Sequence, residues 1–296
     1  MLTNGAIHIT RWIVNSGNTR NDYPLTNIAY SKNGGAWITV AYEESVSVSS
    51  GDKIRWKSNG TRSGNTYTTT NGETGSLGIN SKFVSSANYN VYGNPKSLLY
   101  RDNFRTFDET NITVDFGYLF NNTDEDLTTG VVSAKNLVMP SNIGDGACVG
   151  MFQNCKNLTT APSILPATTL TRHCYNSMFQ DCASLVNAPI LPATTLEYCC
   201  YREMFENCTS LITAPDLPAT TLAGSTECYV HMFLGCSSLN YIKAMFTTDP
   251  TNTTYTVNWV GGVAANGTFV KNTAASWNVV GTKGVPVGWT ILRASE

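Results

Sequence analysis

The sequence predicts a fold of mixed β and α/β class, with a small N-terminal β-sandwich or barrel-like domain, a short solenoid and a C-terminal cap. Two observations predict it. Near-copies of one phrase fill most of the second half of the chain, and the first third alternates short apolar runs with turn residues. We place the three parts at residues 1–112, 113–243 and 244–296.

The repeated phrase is Met-Phe followed by Cys, Leu, Ala-Pro and Leu-Pro-Ala-Thr-Thr-Leu. Its copies begin at Met151, Met178 and Met204, and a fourth begins at Met232 and breaks off, so the steps are 27, 26 and 28 residues. Repeats of this length are typical of solenoids, whose units are too small to bury their own apolar face and therefore pack on their neighbours. Solenoids mostly present surfaces, so an enzyme is not expected.

Each copy is expected to contain a short strand followed by a short helix. Residues 158–161 would form the strand, and the prolines that follow would end it. In residues 174–182 the apolar positions recur at i, i+1, i+4, i+5 and i+8. That spacing predicts one face of a two-turn helix.

Both ends of the repeat region are predicted to carry atypical units that cover the apolar core. Leu119-Phe120 stands where Met-Phe would, in a polar unit without the cysteine. A terminal repeat must face solvent on one side, which explains such polar content. After residue 243 the period is lost, and the bulky residues of a C-terminal cap follow, namely Trp259, Phe269, Val270, Trp277 and Trp289.

The N-terminal part reads as short strands separated by tight turns. The clearest unit is a hairpin over residues 28–40, whose turn contains Asn33-Gly34, residues that tolerate positive φ. Alternating or apolar runs at residues 7–14, 46–48, 53–56 and 89–93 predict further strands. Residues 59–80 are rich in Gly, Asn, Thr and Ser and predict a long loop or a weakly packed hairpin.

All nine cysteines lie between residues 148 and 236. Eight fall into two columns, one after each Met-Phe pair and one before it, and only Cys199 is off-register. Disulfides and a metal site are the alternatives, but a role repeated once per copy favours buried free thiols, and the clusters that zinc requires are missing from the sequence. The predicted ladder comprises Cys155, Cys182, Cys208, Cys236, Cys174, Cys200 and Cys228, with Cys148 in the second column.

Composition and motifs exclude several classes of function. Charged residues are 14% of the chain and the net charge is −2, which gives no basic stripe for nucleic acid. No apolar run is long enough for membrane insertion. Because the sequence holds no nucleophile elbow or phosphate loop, we predict no catalytic residues, no cofactor and no metal. Adjacent His173-Cys174 would not form a dyad, and the acidic run 124–126 favours a solvated cap over a calcium site.

Candidate binding residues are the variable positions of the strand face within the otherwise constant repeat. A surface that adapts to a ligand would show such variation, and tolerated drift would show it too. The repeated tyrosines, by contrast, are expected to pack between copies rather than stack on sugars. The predicted ligand or partner contacts are Thr160, Asn187, Thr213 and Tyr241.

The repeat phrase resembles the BspA-like (Treponema-type) leucine-rich repeat family, in its Met-Phe-x-x-Cys-x-x-Leu core, the Leu-Pro that follows and the Cys-Tyr that precedes the next copy. The Leu-Pro-Ala-Thr-Thr-Leu variant is similar to that of gut Bacteroidetes and their phages. The resemblance extends to residues 30–37, 51–54, 93–99, 267–272 and 284–290. It implies a right-handed leucine-rich-repeat solenoid and, for bacterial members, attachment to host proteins. It implies no catalytic residues.

We therefore expect a non-enzymatic structural and binding protein. The favoured setting is a phage virion, as a capsid decoration, head fibre or tail-associated protein that attaches to the bacterial surface or a gut glycan. The N-terminal β-domain would contact other virion proteins, the solenoid a host surface molecule, and a homo-oligomer is possible. A secreted or cell-surface adhesin is the first alternative, disfavoured because residues 1–14 do not resemble a secretion signal. A carbohydrate-binding accessory module is the second.

Overall fold

The computed structural model contains thirteen strands in the part of the chain that it describes. These are β1 (Gly5–Arg11), β2 (Ile28–Lys32), β3 (Ile38–Val40), β4 (Val46–Val48), β5 (Ile54–Ser58), β6 (Thr66–Thr68), β7 (Thr74–Ser76), β8 (Ser81–Ser85), β9 (Tyr89–Gly93), β10 (Val131–Leu137), β11 (Tyr241–Ala244), β12 (Thr268–Asn272) and β13 (Thr290–Ala294). The described residues are 5–11, 28–41, 44–58, 66–68, 74–76, 81–95, 98, 116–122, 128–250 and 254–294.

The strands form five small sheets. The antiparallel orders β4-β1-β8, β3-β2-β5 and β6-β7 all lie in the N-terminal part. The parallel orders are β10-β9, which joins that part to the repeat region, and β11-β12-β13 near the C-terminal end. The hairpin predicted over 28–40 is confirmed, with Ile28 opposite Val40 and Tyr30 opposite Ile38. Its turn residues Asn33 and Gly34 both have positive φ, as a tight turn between twisted strands requires.

The predicted fold class is wrong. The described residues are all-β: no helix is among their elements, and their strands make sheets of two or three strands rather than a closed barrel or a solenoid. The strand predicted at residues 158–161 is reduced to a single bridge residue, Thr160. The helix predicted at residues 174–182 is a run of consecutive turns.

Backbone hydrogen bonding explains why these turns are not a helix. The amides of Val149, Met151 and Gln153 donate to the carbonyl three residues earlier. The amides between them donate to the next copy instead: Gly150 to the carbonyl of Asn176 and Phe152 to that of Met178, both at 2.9 Å. Every fourth residue has a positive φ, which a right-handed helix cannot contain. In the four copies these residues are Gly146, Gly150 and Asn154; His173, Ser177 and Asp181; Cys199, Glu203 and Asn207; and Glu227, His231 and Gly235.

The same hydrogen bonds stack the copies in chain order, and we call residues 146–239 the repeat stack. Aromatic side chains continue this stacking in its core. Phe152 lies 5.5 Å from Phe179 with a 5° angle between the rings. Tyr175 lies 5.9 Å from Tyr201 with a 7° angle. All four rings are buried, so each copy covers the apolar face of the next.

Related segments lie at both ends of the repeat stack. Phe120 donates its amide to the carbonyl of Met151 and stacks on the ring of Phe152 at 5.3 Å, which places Leu119-Phe120 in the register expected from the sequence. At the other end, Phe233 donates to the carbonyl of Trp259, and the buried Trp259 ring contacts Phe233 at 6.1 Å. The turn pattern therefore continues beyond the residue at which the sequence repeat ends.

The predicted domain boundary at residues 112 and 113 lies outside the described residues, and the three-part division stays a prediction. Within the described part of the chain, no helix is both long enough and apolar enough to cross a bilayer.

Candidate functional site

The four predicted binding residues lie in one row. Parallel bridges join Thr160 to Asn187, Asn187 to Thr213 and Thr213 to Tyr241. Successive copies present equivalent backbone positions at the spacing of neighbouring strands, about 4.8 Å. Residues that are 26 to 28 apart in the chain thus become immediate neighbours on one surface, which we call the bridge row.

The bridge row extends beyond the predicted residues. At one end Thr160 bridges to Ser133 on β10, which pairs with Asn90 on β9, and at the other end Tyr241 pairs with Thr268 on β12. Asn187 and Thr213 are exposed, and Thr160 and Tyr241 are partly exposed. Beside them Val186 is 39% exposed and Ile212 is 47% exposed. The row therefore combines hydroxyl, amide and phenol groups with two accessible aliphatic side chains.

The nine cysteines are all free and buried. In the column that follows Met-Phe, each thiol donates a hydrogen bond to the carbonyl of a phenylalanine in the preceding copy or end segment. Cys182 bonds to Phe152 at 3.1 Å and Cys208 to Phe179 at 3.1 Å. The other two members of this column, Cys155 and Cys236, bond at 3.0 Å to Phe120 and Phe205.

Burial suppresses ionisation of these thiols. It raises the pKa of Cys174, Cys228 and Cys236 to about 12. The pKa values of Cys155, Cys182, Cys200 and Cys208 are raised for the same reason. A thiol is a nucleophile or metal ligand only as the thiolate, so these positions are chemically inert at neutral pH.

Two cysteines lie outside the columns, Cys148 in contrast to its predicted place and Cys199, for which no column was predicted. The backbone of Cys148 is in the register of Tyr175, because its amide donates to Cys174 just as the amide of Tyr175 donates to Cys200. Cys199 is buried beside Glu227, with 3.5 Å between Sγ and Oε2. Burial is the main cause that raises the pKa of Cys199.

A cleft of about 620 Å³ lies between β5 and β9. It was not predicted from the sequence. Exposed aromatic residues contribute to its walls, with Trp37 39% exposed and Tyr92 55% exposed. Two cations lie over the Trp37 ring, the Lys57 ammonium 4.4 Å and the Arg55 guanidinium 5.4 Å from its centroid. Its further polar lining comes from Asp52, Asn88, Asn90 and Asn94.

Charged side chains gather on the turn surface of the repeat stack, where copies two to four meet. Arg202 donates through Nε to Glu203 Oε1 at 2.9 Å and through a terminal nitrogen to Glu227 Oε2. Nearby, Glu206 accepts from Gln180 at 2.7 Å, and His231 Nδ1 lies 3.8 Å from Glu203 Oε1. Sequence reasoning missed this cluster because its charged members are up to 29 residues apart.

The sequence also raised the acidic run 124–126 and the pair His173-Cys174 as candidates. The acidic run 124–126 lies outside the described residues. The His173 ring contacts Tyr198 edge-on at 5.0 Å, and His173 Nδ1 lies 3.3 Å from Asn176 Nδ2. Burial and the neighbouring Arg172 lower the pKa of His173.

Comparison with known proteins gives no relative: no protein family, no curated protein and no solved structure matches the chain.

Proposed function

We propose that this chain is a non-enzymatic structural and binding protein that engages a partner through the bridge row. The supporting observation is that Thr160, Asn187, Thr213 and Tyr241 are adjacent, accessible and joined by backbone bridges. A surface held by a repetitive backbone loses little conformational entropy on binding, which favours affinity from modest contacts.

The proposed setting is a phage virion, where the chain would contact other virion proteins through its N-terminal part and a host surface molecule through the bridge row. Support for this setting comes from the sequence: its resemblance to the repeat proteins of gut Bacteroidetes and their phages, and its charge-poor polar composition. A virion component needs a stable scaffold with a variable surface, and the constant core beneath the variable row meets both needs.

The binding surface is tested with charge substitutions. Asn187→Arg and Thr213→Arg add a bulky cation to the bridge row, and Thr194→Arg adds the same group to an exposed position outside that row. We expect the first two to weaken binding to washed host cells at least tenfold and the third to leave it unchanged. Equal binding by all three variants would refute a role for the row.

The setting is tested by peptide mass spectrometry of purified phage particles and of the washed cell-surface fraction. Peptides in proportion to capsid or tail proteins support a virion component. Peptides in the surface fraction alone contradict the virion proposal and indicate an adhesin.

The cleft between β5 and β9 favours a second candidate function, carbohydrate binding. Exposed Trp37 and Tyr92 offer faces on which sugar rings stack, and the asparagine side chains offer hydrogen bonds. Because Lys57 and Arg55 stand beside Trp37, an acidic saccharide fits this cleft best. Screening on a glycan array tests it: Trp37→Ala and Tyr92→Ala should abolish the signal and Ile38→Ala, outside the cleft, should retain it. A wild-type chain that binds no glycan would exclude this candidate.

A further inference from the structure

Glu203, Glu206 and His231 bring three potential metal-ligand atoms together on the turn surface. One carboxylate oxygen from each glutamate and one imidazole nitrogen all lie within 4.8 Å of one another. His231 Nδ1 lies 3.8 Å from Glu203 Oε1. In a tetrahedral zinc site with bonds of 2.0–2.1 Å, neighbouring ligand atoms are about 3.3 Å apart. Small rotations of the three side chains would therefore bring their ligand atoms to the separations of a zinc site.

Backbone hydrogen bonds between copies fix the Cα positions of these residues. Glu203 and His231 occupy equivalent positions in successive copies, each with positive φ, and the amide of Glu203 donates to the carbonyl of Val230 at 2.8 Å. Glu206 lies one turn further along the same copy as Glu203. Because hydrogen bonds already hold the backbone at these positions, only the three side chains have to become ordered when an ion binds.

Neighbours in the preceding copy orient both carboxylates. Ser177 Oγ donates to Glu203 Oε2 at 3.2 Å, and Gln180 Nε2 donates to Glu206 Oε2 at 2.7 Å. Among the described residues Glu206 Oε1 has no hydrogen-bond partner, and no hydrogen bond joins His231 to either carboxylate. Second-sphere hydrogen bonds of this kind are what orient carboxylate ligands at metal sites.

The local charge also favours a divalent cation. The cluster contains the three carboxylates of Glu203, Glu206 and Glu227 against the single guanidinium of Arg202, so its formal charge is −2 with His231 neutral. Arg202 shares Oε1 of Glu203, and a carboxylate oxygen has lone pairs for two partners. The contact of Arg202 with Glu227 involves none of the three potential ligand atoms.

We propose that Glu203, Glu206 and His231 bind a divalent first-row transition ion, with zinc as the best match. One imidazole and two carboxylates are ligands that such ions accept, with water completing the shell. Calcium is a poor match because it requires six to eight oxygens. No cysteine sulfur is among the three potential ligand atoms. This site is independent of the bridge row and of the cleft.

Isothermal titration of the untagged full chain with Zn²⁺ tests the proposal. We expect one equivalent to bind, and Glu203→Gln, Glu206→Gln and His231→Gln each to weaken binding at least tenfold. Glu197→Gln and His173→Gln, at positions outside the three ligands and their Arg202–Glu227 neighbours, are matched controls that should bind like wild type. Failure of the wild type to bind one equivalent, or binding that His231→Gln leaves intact, would overturn the site.

Two spectroscopic measurements on the wild-type chain keep the test independent of how the variants fold. Zn²⁺ should shift the imidazole NMR signals of His231 and leave those of His173 in place. Co²⁺ substituted at the site should give visible d–d bands without the near-ultraviolet charge-transfer band of a thiolate complex. A thiolate band, or shifts confined to another histidine, would contradict the assignment.

Discussion

Cys182 Sγ donates a hydrogen bond to the backbone carbonyl of Phe152, which belongs to the preceding copy of the repeat, at 3.1 Å. The same carbonyl accepts from the amide of Cys155 at 3.1 Å. The thiol thus ties one copy to the next from inside the core. This role needs a small apolar side chain that can donate one weak hydrogen bond, and cysteine meets that requirement.

Substitution in this column should destabilise the protein moderately. Cys182→Ala removes the sulfur and its hydrogen bond but leaves the Phe152 carbonyl satisfied, so we expect a loss of about 1–2 kcal/mol in the free energy of unfolding. Cys199→Ala, off the column, is the control and should cost less. Urea unfolding followed by circular dichroism measures both values. A greater loss for Cys199→Ala would contradict the proposed role of the column.

Thiol labelling checks burial across all the copies. In the native protein most of the nine cysteines should resist a bulky maleimide, because burial both blocks access and raises their pKa values, to about 12 for Cys174, Cys228 and Cys236. Cys199, whose Sγ lies beside the partly exposed Glu227 side chain, should react first. All nine should react after unfolding, and mass spectrometry counts the adducts. Rapid native labelling of most thiols would refute the buried ladder.

Some of the local structure was predictable from the sequence, but the run of turns at residues 174–182 was not. The hairpin at 28–40 followed from alternation and an Asn-Gly turn. The helix prediction for residues 174–182 failed because an apolar period of four residues is close to the 3.6 of an α-helix. Nothing in that period reveals that Ser177 and Asp181 have positive φ, or that alternate amides bond to the next copy.

Of the candidate sites, the bridge row was predictable from the sequence, whereas the cleft and the cluster around Glu203 were not. Thr160, Asn187, Thr213 and Tyr241 could be grouped in advance because their positions repeat with the phrase. The cleft around Trp37 could not be predicted, because it depends on how β5 and β9 pack, and neither strand belongs to the repeated phrase. The cluster around Glu203 combines residues that vary between copies, so its proximity is visible only once the register is known.

The buried hydroxyl of Tyr175 should destabilise the folded state. Its hydroxyl is buried and has no hydrogen-bond partner among the described residues, whereas its ring stacks on Tyr201. An unpaired buried hydroxyl costs about 1–3 kcal/mol. Tyr175→Phe should therefore raise the free energy of unfolding by about 1 kcal/mol, whereas Tyr175→Ala should lower it by about 3–5 kcal/mol. A less stable phenylalanine variant would show that the hydroxyl is hydrogen-bonded in solution.

Asp52 should titrate at unusually low pH. Hydrogen bonds from Lys32, Asn33 and the Ser49 amide lower its pKa from 3.8 to about 2. Because the folded state has the lower value, the stabilisation is present above pH 3.8 and is lost as the pH falls towards 2. Carboxyl NMR titration should show Lys32→Gln moving the pKa back towards 3.8 and Lys135→Gln leaving it unchanged. A Lys32→Gln variant with the wild-type titration curve would rule out this cause.

Glu206 ends a ladder of side-chain amides and should weaken the fold when ionised. Asn121 donates to Gln153, Gln153 to Gln180 and Gln180 to Glu206. Burial, with a contribution from Glu203, raises the pKa of Glu206 above its ordinary value of 4.5. A raised value for an acid means that the ionised form is destabilised in the folded state, so this cost is present at neutral pH and disappears as the pH falls through the raised pKa to 4.5.

Glu206→Gln should therefore be more stable than wild type at pH 7 in the presence of a chelator, and the difference should shrink on acidification towards pH 4.5. The amide would also continue the ladder by accepting from Gln180. Added Zn²⁺ should reverse the order, because an ion bound only to the folded wild type stabilises it by mass action. Thermal unfolding of both proteins at several pH values, with chelator and with Zn²⁺, measures these effects. If the variant is less stable at pH 7 with chelator, the ionised Glu206 contributes favourably and the assigned cost is wrong. If the order with chelator holds but Zn²⁺ does not reverse it, the electrostatic account stands and the metal site does not.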